Sequence, residues 1–244
     1  MDTVWWLIPI LVIVAFLYGS VGHGGASGYL AIMALFSFAP EVLRPTALVL
    51  NLFVSLLAFY QYAQAGHFSW KLFWPFAVTS IPLSFVGGML EVDAALYKKI
   101  LGVLLLIAVA RMFIPFHNNN KNGRPTRLPL ALLTGAAIGF LSGLIGIGGG
   151  IILSPIILLL QWGNMKQTAA VSALFIFVNS ASGLAGQLTE GVVFYSGMWW
   201  MIISAVTGGI LGAWYGSTKS SPAVLRYLLG TVLIIASVKL IAGI

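Results

Sequence analysis

The chain of 244 residues has no cysteine, and its Asp and Glu residues together number only five. The first absence excludes disulfides and thiolate metal sites. Charged residues make up 7% of the chain, whereas soluble domains carry roughly 25%. Hydrophobic residues reach 60% and mean hydropathy is +1.03, so the chain reads as an integral membrane protein rather than a soluble domain. Its apolar runs are continuous and about 20 residues long, not alternating ten-residue segments, so they are helices and not barrel strands. The start, MDTVWWLIPILVIVAFLYGS, has an Asp and no Lys or Arg before the apolar run, and no A-x-A site follows. It therefore reads as part of the mature chain and not as a signal peptide. The net charge of +7 comes from basic residues scattered among membrane loops. It is a topology signal, and no nucleic-acid partner is expected.

Six runs are long enough to span a bilayer: Thr46–Ala65, Leu72–Leu90, Leu96–Pro115, Thr168–Leu188, Val192–Tyr215 and Ala223–Ile241. Four shorter runs, Val4–Tyr18, Ala26–Ala39, Leu128–Ser142 and Ile151–Trp162, fall short of a comfortable crossing. They form two pairs, each joined by a glycine-rich turn, GSVGHGGASG at 19–28 and GLIGIGGG at 143–150. The order is pair, three spans, linker, pair, three spans, which is an internal repeat. Gly22-His23-Gly24-Gly25 aligns with Gly146-Ile147-Gly148-Gly149, and Phe53-Val54-Ser55 with Phe177-Val178-Asn179 in the same register. This divides one membrane domain into a first repeat (1–115), a polar linker (116–127) and a second repeat (128–244).

The expected fold is an all-α polytopic membrane protein made of two inverted repeats. Each repeat is a glycine-tipped short helix pair plus three transmembrane helices. Each pair is either a re-entrant hairpin or two squeezed crossings, and both give an odd number of crossings and hence inversion. Non-helical backbone at that depth must be shielded by protein or line a wet cavity, which favours the hairpin. Lys71, Lys121, Arg124, Arg127, Lys166, Lys219 and Arg226 fall on one side, and Arg44, Lys98 and Lys99 on the other with Glu41, Glu91, Asp93 and Glu190. The positive-inside rule then puts the linker in the cytoplasm and both termini outside, in the plasma membrane.

All five acidic residues lie at span ends or in loops, whereas cation carriers place carboxylates within spans. An anion is better served. The second helix of each pair begins at a glycine turn, where free N–H groups and the positive end of the helix dipole meet. Two such ends, brought from opposite faces, would converge near the midplane as in other broken-helix repeats. The candidate substrate-binding residues are Ser20, Gly22, His23, Gly24, Gly25, Ser27, Ser55, Ser142, Gly146, Gly148, Gly149, Gly150 and Asn179. Asn51, Gln61, Ser172 and Ser180 are further polar residues on adjoining spans. His23, whose counterpart is Ile147, either bonds the substrate, carries a proton or satisfies a backbone carbonyl. Glycines at small-xxx-small spacing, such as Gly87-Gly88, Gly208-Gly209 and Gly212, read as packing positions instead. Buried carboxylates and clustered histidines are missing, so no enzyme, metal or cofactor is expected.

The segments GHGGASGYLAIMAL, GFLSGLIGIGGGIILSPIILLL and KQTAAVSALFIFVNSASG resemble the TauE/SafE family of sulfite and organosulfonate exporters. The resemblance covers nearly the whole chain, and the second-half motif is the more specific. It implies secondary transport of sulfite, an organosulfonate or a related sulfur oxyanion across the plasma membrane. Export by alternating access, coupled to a proton gradient or the membrane potential, is the mode it suggests. The first turn departs from the triple glycine, with Ala26 after Gly24-Gly25, which weakens a symmetric site. An anion channel in the same scaffold, or a carrier for another small anionic metabolite, is the alternative.

Overall fold

The computed structural model describes residues 3–20, 24–113, 124–192, 194–195, 197–218 and 223–242. Gly22 and His23 of the first turn, and most of the linker, lie outside the described residues. The described residues form ten helices and no strand: α1 (Thr3–Gly19), α2 (Ala26–Leu35), α3 (Pro40–Gln64), α4 (Trp70–Met89), α5 (Ala94–Phe113), α6 (Leu128–Ile145), α7 (Gly150–Leu159), α8 (Met165–Glu190), α9 (Met198–Thr218) and α10 (Ala223–Ala242). Among the described residues, α3, α4, α6, α8 and α9 are long and apolar enough to cross a membrane.

Several boundaries differ from the sequence reading, among them the start of α9 at Met198 rather than Val192, and two of them bear on the site. The run expected to stop at Ser142 continues to Ile145 as α6, 18 residues long, about 27 Å at 1.5 Å per residue. Gly143 looks like the start of a turn in one dimension, but inside α6 it packs against the backbone of α4. The left-handed break waits until Gly146, at φ 84°. At the other boundary α3 begins six residues before Thr46, with Pro40 in its first turn, where a missing N–H costs nothing. That extension takes Arg44 out of a loop and into a helix.

The short helices α2 and α7 have ten residues each, about 15 Å or half a bilayer core. Both end in the same way. Ser37 (φ 61°) and Gln161 (φ 56°) are the non-glycine residues with positive φ among the described residues. Behind them Phe38 N–H donates to Met33 C=O at 3.0 Å and Trp162 N–H to Ile157 C=O at 2.9 Å, the 6→1 closure of a Schellman stop. The offset from Ser37 to Gln161 equals that from Gly24 to Gly148, so both ends of the short helices repeat in register. The helix after α7 starts on a capping box, with Asn164 accepting from Gln167 N–H at 2.9 Å and the Gln167 side chain accepting from Asn164 N–H at 3.1 Å.

The two halves interlock. Helix α1 packs along α9 of the other half, and α6 packs along α4; α3 lies across α8, and α5 beside α10. Exchanging the halves maps these main pairings onto one another. Both lengthwise contacts run through glycine. Gly135, Gly139 and Gly143 of α6 rest on the carbonyls of Phe76, Ser80 and Ser84, while Gly208, Gly212 and Gly216 of α9 rest on those of Val12, Phe16 and Ser20. Small residues let apolar helices approach backbone to backbone where lipid gives no hydrophobic drive. Helices α3 and α8 run antiparallel: Tyr62 near the end of α3 packs with Ala169 and Ala170 near the start of α8.

The outward faces are apolar, with Leu133, Val78 and Ile203 each more than half exposed. Trp6, Trp70, Trp199, Trp200 and Trp214, also more than half exposed, sit near helix ends. Amphipathic indoles at that level match the headgroup belts of a membrane protein.

Candidate functional site

The site is built where the two broken pairs meet the middles of α3 and α8. Gly25 precedes α2 at φ 90° and Gly149 precedes α7 at φ 79°, both left-handed, and neither helix has a side-chain cap. Only glycine takes this conformation without a Cβ penalty. In α7 Ile152 N–H donates to Gly149 C=O at 3.1 Å, and the N–H groups ahead of it in both helices have no side-chain cap.

Asn51 joins the two turns. A Cβ placed on Gly24 would lie 2.6 Å from Asn51 Oδ1, and one on Gly148 would lie 2.5 Å from Asn51 Nδ2. Both would also press on Ile176 of α8. The Asn51 amide is fully buried, and its Nδ2 donates to Ser180 Oγ at 3.3 Å. Sequence reasoning offers Asn51 only as one of several polar span residues. Its central position follows from the crossing of α3 and α8, which no local pattern encodes.

The candidates named from sequence fall into four groups. Ser20 and Ser55 spend their hydroxyls on their own helices, donating to Leu17 C=O at 2.8 Å and to Asn51 C=O at 2.5 Å. Ser27 pairs with the Tyr18 hydroxyl at 2.5 Å. Gly146 abuts the Arg44 backbone, Gly149 faces Phe175, and Gly150 packs on Ile176. Ser142 Oγ and Asn179 Oδ1 are buried with no hydrogen-bond partner among the described residues, although Asn179 Nδ2 is held by Phe175 C=O at 2.8 Å. Gly24 and Gly25 complete the described part of the first turn.

Orphaned polar atoms lie on the helices that meet at these turns. Besides Ser142 Oγ and Asn179 Oδ1 they include Asn51 Oδ1, against Gly24, and Tyr29 Oη, 2.6 Å from where a Cβ on Gly25 would sit. Tyr29 is a residue that sequence reasoning missed. Its one signal is its place in the first turn after the glycines. Buried polar atoms are almost always paired, so a cluster without partners marks a place where a ligand or water completes the set.

The carboxylates stand away from this cluster. Glu41, Glu91, Asp93 and Glu190 are exposed. A cavity of about 270 Å³, lined in part by Glu41, Arg44, Glu91, Tyr97, Gln187 and Glu190, opens at the end of the bundle where α3 begins and α8 finishes. Arg44 reaches across it to Leu90 C=O at 3.2 Å and to Gly88 and Gly143 C=O at 3.4 Å. It thus places its cation on the carbonyl ends of α4 and α6, where the helix dipole is negative. Lys239 does the same for α2, donating to Leu35 C=O at 2.8 Å and Ala34 C=O at 3.3 Å. His67, between α3 and α4, is held below the usual imidazole range by partial desolvation and by Lys166. It packs on Tyr62, with ring centroids 6.5 Å apart.

Apolar outward faces, interlocked helices and two broken helices ending on a buried polar cluster define a multi-pass membrane transporter. The chain belongs to the TauE/SafE family: the family model for the sulfite exporter TauE/SafE matches residues 7–240. A probable membrane transporter protein of Sinorhizobium fredii is 37% identical over 233 residues, covering 94% of both chains. One from Methanocaldococcus jannaschii is 29% identical over 249 residues, covering 93% of this chain and 92% of its own. One from Bacillus subtilis, YjnA, is 26% identical over 250 residues, covering 92% and 94%. No solved structure matches the chain.

Proposed function

We propose that this protein exports a small sulfur-containing oxyanion, sulfite or an organosulfonate, across the plasma membrane by alternating access. The observation that carries the reading is the convergence of two uncapped helix N-termini, at Gly24-Gly25 and Gly148-Gly149, on the buried amide of Asn51. Peptide dipoles and free N–H groups there favour negative charge, and the exposed carboxylates stay away from it. The family description supplies the sulfur chemistry.

An alternating-access cycle suits the crowding of the turns. Neither Gly24 nor Gly148 has room for a methyl group in this conformation, so an anion reaches Asn51 only when the turns part. The reciprocal pairing of α1 with α9 and α6 with α4, and the antiparallel α3 and α8, support two inverted repeats that rock against each other. Coupling to the proton gradient or the membrane potential supplies the drive. Arg44 is committed to carbonyls inside the bundle. Removing it from the loop count sharpens the basic bias that puts the linker in the cytoplasm and both termini outside.

The test is flux of radiolabelled sulfite through vesicles holding the purified full chain. Flux is expected, stimulated by sulfite on the opposite side and abolished in Gly148→Leu. Undiminished flux in Gly148→Leu removes the site. Large currents without trans-stimulation would identify an anion channel instead.

A further inference from the structure

We propose that the site takes its cargo as a singly charged ion that carries its own proton, so that the substrate rather than a side chain brings the proton into the membrane. The inference rests on the anion reading above and narrows it to sulfite, since the sulfonate group carries no proton of its own near neutral pH.

Charge matching is the first argument. Each helix N-terminus acts as roughly half a positive charge, so α2 and α7 together supply about one. Among the described residues no Lys, Asp or Glu is buried, and the partly buried Arg44 places its guanidinium on the carbonyls of Gly88, Leu90 and Gly143 rather than on Asn51. The cost of desolvating an ion rises with the square of its charge, so a dianion costs about four times as much as a monoanion of equal size. Nothing described near Asn51 offsets the difference.

Hydrogen-bond polarity is the second argument. Asn179 Nδ2 is fixed on Phe175 C=O, so the atom left without a partner is an acceptor, Oδ1. Turning that amide over would set oxygen against oxygen. Asn51 is adaptable, because the Ser180 hydroxyl it meets can donate or accept. Tyr29 Oη and Ser142 Oγ are free to donate. Hydroxyls and helix ends thus suit the negative oxygens of a ligand, while the acceptors Asn51 Oδ1, against Gly24, and Asn179 Oδ1, one residue from the Ser180 beside Gly148, call for a donor. A protonated oxyanion offers both; a bare dianion offers no donor.

The titratable groups around the cluster leave the proton to the cargo. Tyr18 and Tyr29 face the first turn, Tyr62 meets Ser20 C=O at 3.2 Å, and Arg44 and Tyr97 lie behind Gly146. Tyrosine and arginine ordinarily ionise well above neutral pH. His23, next to Gly24 in sequence, lies outside the described residues and is tested directly.

Vesicles holding the full chain separate the possibilities, with sulfite as the transported probe and sulfate and methanesulfonate as competitors. At fixed total sulfite, flux should fall about tenfold per pH unit above the second ionisation of the probe, equally in His23→Gln. Methanesulfonate, a monoanion without a donor, should compete about tenfold less well than hydrogensulfite, the worth of one hydrogen bond. Sulfate should not compete at about hundredfold excess over methanesulfonate, since its second charge is unmatched. Sulfate competing as well as methanesulfonate, methanesulfonate equalling hydrogensulfite, or a pH slope lost in His23→Gln would each overturn the proposal. Those results leave the anion site standing provided that Gly148→Leu still blocks flux. Absence of sulfite flux, or flux indifferent to Gly148→Leu, defeats the anion reading and this inference with it.

Discussion

Asn51 and Ser180 join the two halves of the chain at the middle of the bundle: the Asn51 amide nitrogen donates to the Ser180 hydroxyl at 3.3 Å, between the glycine turns of both repeats. A single neutral hydrogen bond adds only about 0.5–1.5 kcal/mol of net stability. Asn51 Oδ1, meanwhile, has no partner among the described residues. Asn51→Ala should therefore change the melting temperature little while lowering sulfite flux at least tenfold. Parallel thermal-shift and vesicle-flux measurements check this. A large loss of stability with flux per folded molecule preserved would make Asn51 a packing residue.

Left-handed backbone and crowding can be separated at glycines that share only the first. Gly66 (φ 76°) and Gly191 (φ 91°) have nothing within 4 Å of an added Cβ, whereas Gly148 (φ 74°) would meet Asn51 and Ile176. Alanine at Gly66 should cost about 1–2 kcal/mol from conformation alone, alanine at Gly191, whose ψ of 129° lies outside the left-handed helical well, should cost more, and both should leave flux intact. Alanine at Gly148 should abolish flux. Equal effects at all three positions would show that backbone strain alone matters.

The lengthwise glycine contacts are expected to behave as structure, not as site. A side chain at Gly143 or Gly212 would run into the carbonyl of Ser84 or Phe16. Overpacking typically costs about 1–3 kcal/mol, and more where backbone is the obstacle. Gly143→Val and Gly212→Val should elute as aggregates or yield little folded protein in detergent. A monodisperse, thermally unchanged Gly212→Val would show that α1 and α9 pack less closely than described.

Arg44 and Lys239 hold helix ends by charge-assisted bonds, each worth about 1.5–3 kcal/mol. Arg44→Met and Lys239→Met should lower the melting temperature while keeping most flux per folded molecule. A flux defect in Arg44→Met without loss of stability would instead draw its cavity into the transport path.

The absence of native cysteine makes topology directly measurable. Asn119→Cys in the linker should react with an impermeant maleimide only when the inner face is accessible, and Asp2→Cys only from outside. Labelling of Asn119→Cys in intact cells would invert the proposed orientation.

Much of this was legible in one dimension because the causes are local. Continuous apolar runs make membrane helices, and the glycine turns, duplicated in register, mark where they break. The lack of carboxylates within the spans follows from composition. Motif spacing carried the family, which matches residues 7–240. What tertiary structure alone decided depends on which helices meet. Gly143 looked like part of a turn but lies inside α6, because the α4 backbone sits where its side chain would be. Arg44 looked like a loop charge but caps the ends of α4 and α6. Asn51 became the centre of the candidate site, since only the crossing of α3 with α8 sets its amide between turns 124 residues apart. Helical periodicity and turn chemistry act within a few residues and can be read along the chain. The satisfaction of a buried polar atom depends on distant neighbours, and the sequence does not list them.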